Sequence, residues 1–498
     1  MELWRQGKDA WNEWVEKNPV ADVSFISVDF SKKTQRTALP QVSFSGFKFP
    51  DGNVDFSYAQ FGKGDVDFSN TQFGKGDVVF FDTKFGEGDV SFRGAVFGEG
   101  DISFFKAEFG NGFIHFTHTK FGNGNVTFTH TKFGNGNVTF GDAEFGNGNV
   151  TFGGAEFGEG NISFCLKTFG DGAVNFVRTQ FGKGHVSFSG TEFGEGNVDF
   201  SKTKFDEGDV DFSKTKFGEG NVSFVATEFG KGAVSFSRAE FGEGVVDFDG
   251  TEFGRHANFS LLNIHYKTER IGFRYAVFNG SLEFSTQSEI SVIPDFIGTK
   301  TTNHTSFSGL KYKLKRDGWG IFSKAVNEND GESLCRLKEI ADSNKEYVTA
   351  LRFHADEMRA KRWQKERMGT AASLLDMWFD FFSRYGQSIW RPIVGLFLTI
   401  VTSLLYTVGF FFPLFTPSSY AQWFTNMGNI SYQTWVYGFE IALSRAIPFL
   451  GGKRIDTKTS EITELLPVHF DIVSAGFSLC AFAFMFLIGL GLRNRFRL

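Results

Sequence analysis

The chain has 498 residues, 51 Lys and Arg against 57 Asp and Glu, a net charge of −6, and 67 Phe beside 59 Gly. That length predicts more than one domain, and the acidic balance disfavours direct nucleic-acid binding, which rests on cationic contacts to phosphate. Three widely separated cysteines, Cys165, Cys335 and Cys480, fit a reducing compartment without disulfides.

Residues 1–22 predict a capping helix with Leu3, Trp4, Ala10, Trp11 and Trp14 on its apolar side. Its charges do not have the form of a signal peptide. Such a helix would cover the open first coil of a solenoid, which needs a cap to stay soluble. Residues 23–48, with Val23/Phe25, Val28/Phe30 and Val42/Phe44, read as degenerate starting coils.

From Phe49 to Phe253 a 12-residue unit, Phe-Gly-x-Gly-x-Val-x-Phe-x-x-(Thr/Ala)-x, recurs 17 times. A fixed short period means a solenoid. In the unit starting at Phe61, Val66 and Phe68 alternate with Asp65 and Asp67, and Thr71 and Phe73 flank Gln72, so each unit predicts two very short strands. Phe61, Val66, Phe68, Thr71 and Phe73 are the expected core. Ser69-Asn70 and Gly74-Lys75-Gly76 have turn compositions, and the glycines tolerate positive φ. A coil of one unit leaves little room for two Phe rings. Two units give four sides with four Phe per layer, so a coil of about 24 residues is favoured. Layers about 4.8 Å apart then give a length on the order of 40 Å, with each buried Phe contributing roughly 1.5–3 kcal/mol. This stretch is acidic, 30 acidic against 16 basic residues between Asp51 and Glu252, so the remainder is net basic.

The pattern resembles the pentapeptide-repeat family, in which a small residue two places before a central Leu or Phe also faces inward. Ala59/Phe61, Thr71/Phe73, Ala95/Phe97 and Thr131/Phe133 match that pair. The resemblance implies a right-handed four-sided β-helix. Two extra residues in each Gly-rich corner imply a larger coil than the family's. Lys167 in a small-residue slot and Asp206 in place of a corner Gly mark expected irregularities. Gln6-Gly7, Trp11-Asn12-Glu13-Trp14 and Asn18-Pro19 also resemble the leader of bacterial pentapeptide-repeat proteins.

The β-solenoid is expected over 23–290, where Phe259, Phe273, Phe278 and Phe284 suggest closing coils, and residues 290–330 read as a polar linker. Leu334, Leu337, Ile340, Tyr347, Leu351, His354 and Met358 predict two antiparallel helices that break near Asp342-Ser343-Asn344. They belong to a linker and juxtamembrane region over 291–389. Phe353–Arg359 and Tyr385–Pro392 again resemble bacterial pentapeptide-repeat proteins with membrane segments. Residues 390–498 then read as a transmembrane domain, because 393–415 and 472–492 are uncharged and long enough to cross a bilayer. Lys361, Arg362, Lys365, Arg367, Arg384 and Arg391 precede the first span, and Arg493, Arg495 and Arg497 follow the second. By the positive-inside rule both flanks, and the solenoid with both termini, are cytoplasmic.

Between the spans, 432–452 predicts a re-entrant or interfacial helix ending in Pro448 and Gly451-Gly452. The order of span, short helix, Gly-terminated loop and span is similar to two-helix pore-loop ion channels, with Trp435 where such pore helices start. Ile447–Gly452 lacks the filter sequence of those channels, so potassium selectivity is not implied. Glu440 and Arg445, near Ser444, either line a pore or face water.

His115, His118 and His130 lack zinc spacing. His118 and His130, 12 residues apart, fall on opposite sides of a 24-residue coil. The Phe-Gly-x-Gly runs lack the Lys-Ser/Thr of a phosphate loop, and Asn or Asp at 65, 77, 89, 125, 137 and 149 are expected to bond turn backbone. No enzyme, metal or cofactor is expected. The leading expectation is a multi-pass protein of the bacterial inner membrane. Its cytosolic solenoid assembles protomers or binds a protein ligand, and it is coupled to an ion-conducting homo-oligomer, a tetramer by resemblance. The alternatives are a non-conducting scaffold whose solenoid binds a protein, and a DNA-mimicking inhibitor.

Overall fold

The computed structural model of the protein describes residues 2–31, 41–302, 304–319, 322–364, 368–411 and 468–496, together with Tyr432, Val436, Phe439, Glu440, Ala442 and Leu443. The chain divides into two compact units, Met1–Asp317 with Ala325–Ala360, and Gly318–Lys324 with Lys361–Leu498.

The first unit is built on a β-solenoid of about 11 turns, about 24 residues each. Within one turn, Val126-Thr127, Lys132-Phe133, Val138-Thr139 and Glu144-Phe145 lie in separate parallel ladders. Ile102, Val126 and Val150 stand in register, as do Glu108, Lys132 and Glu156. Three ladders grow into sheets of 11, 13 and 10 strands. The fourth consists of Lys120-Phe121 against Glu144-Phe145, continued by bridges such as Val96 to Lys120 and Glu144 to Thr168. The dodecapeptide is therefore half a turn.

Phe61, Val66, Phe68, Thr71 and Phe73 are all buried. Phe128 stacks on Phe104 at 4.9 Å and on Phe152 at 4.7 Å, and meets Phe116 edge to face at 5.7 Å. Columns of offset rings crossed by T-shaped contacts satisfy the quadrupoles along the whole core. Threonine enters this core because its hydroxyl is satisfied: Thr131 Oγ1 donates to the Phe104 carbonyl one turn back at 2.7 Å, and Thr71 does the same to Phe44 at 2.8 Å.

The corners differ from the expected chemistry. Positive φ falls regularly on the turn after the second Phe, at Asn70, Asp82, His118, His130 and Asp142, whereas in the Gly-x-Gly corners it occurs at Gly62, Gly86 and Gly170 but not at Gly124 or Gly136. The corner glycines without positive φ are needed for space: a Cβ on Gly136 would run into the carbonyl of Gly112, one turn earlier. The Asx residues beside these corners bond the neighbouring turn, not their own. Asn125 Oδ1 accepts the Asn149 backbone N–H at 3.0 Å, and Asp65 that of Asp89 at 3.0 Å, which supplies partners where the strand ladders are interrupted. Lys167 does not fill the small-residue slot. The local turn is rebuilt so that Leu166 is buried, while Lys167 reaches Glu144 at 2.8 Å, avoiding an unpaired buried ammonium. Asp206 is exposed and its N–H still bonds the Phe181 carbonyl at 3.1 Å, so the ladder passes through it unbroken.

Helices α1 (Glu2–Arg5) and α2 (Lys8–Lys17) close the first turn. Trp11 is buried against Phe25 and Phe49, and its Nε1 donates to the Lys48 carbonyl at 2.7 Å. At the other end the ladders run past residue 290: Lys300 stands opposite Val277, and Thr305 opposite Leu282. The period there has slipped to 23 residues and the Gly-x-Gly corners are gone, which is why the stretch resembles a linker. Helices α3 (Asp330–Ser343) and α4 (Tyr347–Lys361) meet at the expected break. Phe353 of α4 packs on Phe307, the last ring of the core. In the first turn of α3, burial pushes the Asp330 carboxyl up to about 6.

Candidate functional site

The second unit contains α5 (Thr370–Ser383), α6 (Trp390–Phe411) and α7 (Val468–Arg495). Two segments, Trp390–Thr407 and Phe470–Arg495, are long and apolar enough to cross a membrane. They pack with inverted polarity. Thr399, Ser403 and Thr407 of α6 and Ser474 of α7 are buried, whereas Phe397, Leu398, Leu479, Phe482 and Phe486 are exposed. The hydroxyls are kept from isolation by bonding back along their own helices, Thr399 Oγ1 to the Gly395 carbonyl and Thr407 Oγ1 to the Ser403 carbonyl, both at 2.8 Å. Gly395 lets the Phe484 ring approach, and Tyr406 stacks on Phe470 at 5.4 Å. Small or hydroxyl residues between helices and bulky apolar residues outside is the pattern of helix packing in lipid.

Immediately before α6 lies the one strongly polar centre of this unit among the described residues. Arg362, fully buried, donates from Nε to Asp376 Oδ2 at 2.7 Å and from Nη2 to Asp380 Oδ2 at 3.0 Å and the Tyr385 hydroxyl at 2.7 Å. Tyr385 donates in turn to Asp376 at 2.8 Å. Ser373 accepts the Trp363 backbone N–H at 3.2 Å, and Ser383 that of Gly386 at 3.2 Å. In the sequence Arg362 reads as one of the basic charges flanking the first span. The structure makes it an internal counter-ion. The legible signal was Ser373, Asp376, Asp380 and Ser383, spaced so that they share one face of a helix in an otherwise apolar stretch.

Of the candidate pore segment, Glu440 is helical and exposed. Trp435, Ser444, Arg445, Pro448, Gly451 and Gly452 lie outside the described residues, as does the end of the first expected span beyond Phe411.

On the solenoid, a groove of about 820 Å³ runs along the turns from Glu156 to Asn279, floored by Gly182, Gly230 and Gly254. Its charges alternate and pair across turns, with Lys204 at 3.0 Å from Glu228. The same alternation links Lys183 to Glu159 at 2.9 Å and Lys231 to Glu207 at 2.7 Å. These carboxylates are therefore matched rather than massed, unlike the phosphate array of a nucleic acid. His118 lies 3.9 Å from Asp142, whereas His130 meets the Phe105 ring, so the two histidines belong to different columns. Among the described residues no three His, Cys, Asp or Glu side chains are grouped to hold a metal ion.

Comparison of the chain with protein-family models, curated proteins and solved structures returns no match.

Proposed function

We propose that the chain is a membrane-anchored β-solenoid of a bacterial inner membrane. In this reading α6 and α7 hold the protein in the bilayer. The solenoid, right-handed and four-sided as in the pentapeptide repeats it resembles, offers its outer faces and groove to a protein ligand in the cytoplasm. The observation that carries the reading is the inverted burial of α6 and α7, hydroxyls inside and Phe and Leu outside, which water would penalise by about 25 cal/mol for each Å² of apolar surface left exposed. The exposed Arg384, Arg391, Arg493 and Arg495 at the two helix ends support a cytoplasmic placement of both flanks. No catalytic role or cofactor belongs to this reading. Alkaline carbonate washing of membranes from expressing cells tests it, followed by protease on inverted vesicles. The chain is expected in the pellet with its solenoid cleaved from the cytoplasmic side; release into the wash would overturn the proposal.

A second reading, a conducting homo-oligomer, is favoured by Glu440, a carboxylate exposed next to the exposed Phe439 in the segment between the spans. Ion flux through liposomes, diminished in Glu440→Gln, is its expected signature. A silent membrane would leave the anchored scaffold standing alone.

A further inference from the structure

Helix α5 is inverted even though it is too short to cross a bilayer. Its polar residues Ser373, Asp376 and Ser383 are buried, whereas Leu374, Leu375, Trp378 and Phe381 are 44%, 73%, 53% and 59% exposed. These four fall on one stripe of the helix. A surface helix in water makes the opposite choice. We propose that α5 is a monotopic helix embedded in the cytoplasmic leaflet, with lipid acyl chains covering the Leu374–Phe381 stripe. The proposal rests on the membrane reading of α6 and α7 and adds a third embedded element to it.

The occupant follows from where α5 is held. Phe382 packs edge to face on Phe484 of α7 at 5.1 Å, and Gly386 lies against Leu490 and Asn494. From Phe484 to Asn494 is 10 residues, about 15 Å of helix, or about half of a hydrocarbon core some 30 Å thick. The C-terminal end of α5 therefore runs beside the portion of α7 that crosses one leaflet. Between α5 and α6 the backbone turns sharply through three successive left-handed residues, Arg384, Tyr385 and Gly386, with φ of 48°, 56° and 77°. Hence α5 folds back against the spans and does not prolong them. The exposed Arg384, Trp390 and Arg391 at this turn are the residues that sit among headgroups, and Arg391 Nη1 closes the helix by donating to the Phe381 carbonyl at 2.9 Å.

The same proposal gives the buried arginine a purpose. Two carboxylates on a helix in lipid are strongly unfavourable unless paired and hydrogen-bonded. Arg362 and the Tyr385 hydroxyl meet both on the protein side, so the lipid side of α5 presents no charge. Arg362 is thus a positioning residue that fixes which face of α5 looks outward.

Spin-label accessibility of the full chain, reconstituted in phosphatidylcholine–phosphatidylglycerol vesicles, tests this. The three native cysteines are replaced by serine, and labels are placed through Leu375→Cys and Phe381→Cys. Leu479→Cys on α7 serves as the lipid reference and Lys216→Cys on the solenoid as the water reference. At 375 and 381 collision with oxygen relative to a nickel chelate is expected to be several-fold above that at 216 and close to that at 479. Labels at 375 and 381 that behave like 216, with 479 still lipid-like, would overturn the embedding of α5 and leave the spans intact. Nickel access at 479 as well would overturn the membrane reading itself. Protection from both reagents would show a protein partner on the stripe, which also defeats the proposal.

Discussion

The two units use the same side chains in opposite directions. In the solenoid Phe128 is fully buried and Lys216 exposed; in the second unit Phe486 and Leu479 are exposed while Arg362 and Thr407 are buried. Both satisfy the same two requirements, that apolar surface be kept from water and buried polar groups be partnered. Only the surroundings differ. The solenoid folds against water and stores its rings in a column. The helices expose theirs, as the proposed lipid surroundings would favour.

The largest effect in this comparison is expected from a core ring. Phe128→Ala removes a side chain held between Phe104 and Phe152 and should destabilise by about 4–5 kcal/mol. Because each turn touches only its neighbours, hydrogen exchange should accelerate most in the turns around residues 104 and 152. The matched substitution Phe486→Ala, on the exposed face of α7, should leave exchange in detergent unchanged. Equal losses at both sites would erase the distinction between the units.

Next comes the buried arginine. Arg362→Met leaves Asp376 and Asp380 facing each other without their cation, a loss of roughly 3–4 kcal/mol. Thermal unfolding of the purified protein in micelles measures it. Adding Asp376→Asn and Asp380→Asn to the same chain should restore part of the loss, since no uncompensated charge then remains. If the triple variant is no better than the single one, packing rather than charge holds α5.

How much of this was legible depends on period. The 12-residue repeat exposes Phe61, Val66, Phe68, Thr71 and Phe73 as core residues, and the crowding of two rings per unit argues for the 24-residue turn that the ladders show. After Phe253 the spacing becomes 25 and then 23 residues; Phe259, Phe273, Phe278 and Phe284 still mark the turns to residue 290, but beyond it the same architecture persists to Ser306 without the repeat's signature. The corner glycines were legible as turns but not as sites of close approach, because the carbonyl that excludes a Cβ at Gly136 belongs to Gly112, in another turn. Arg362 was misplaced for a similar reason. A flank arginine and a buried counter-ion look alike until the helix carrying Asp376 and Asp380 is brought against it.

Asp330 sets up a smaller effect of opposite sign. Burial raises its folded-state pKa to about 6, above the ordinary Asp value of 3.8. A raised carboxyl means the folded state favours the proton, so this contribution to stability is fully present below about 4 and lost as pH rises through about 6. The penalty at neutral pH is on the order of 2–3 kcal/mol. Asp330→Asn should therefore be more stable at pH 7 and should flatten the profile between pH 4 and 6. A profile unaltered by the substitution would place the titration elsewhere.

Thr131→Val is expected to cost about 1 kcal/mol, for it removes one hydrogen bond to Phe104 while Ala107 N–H still bonds that carbonyl at 2.9 Å. Ala155, in the same slot one turn on, shows that the repeat does without the hydroxyl elsewhere.

The smallest effect belongs to the outer charge ladder, and it asks whether the surface contributes to the stacking at all. Lys216 reaches Glu192 at 2.6 Å, and the contact raises the lysine pKa first through that hydrogen bond and then through the charge of Glu192. Both side chains remain about half exposed, where water and salt screen the attraction and ordering two long side chains offsets it. Lys216→Ala should leave denaturant unfolding unchanged at physiological salt. A loss matching that of Thr131→Val would mean that alternating charges, and not the aromatic column alone, keep successive turns in register.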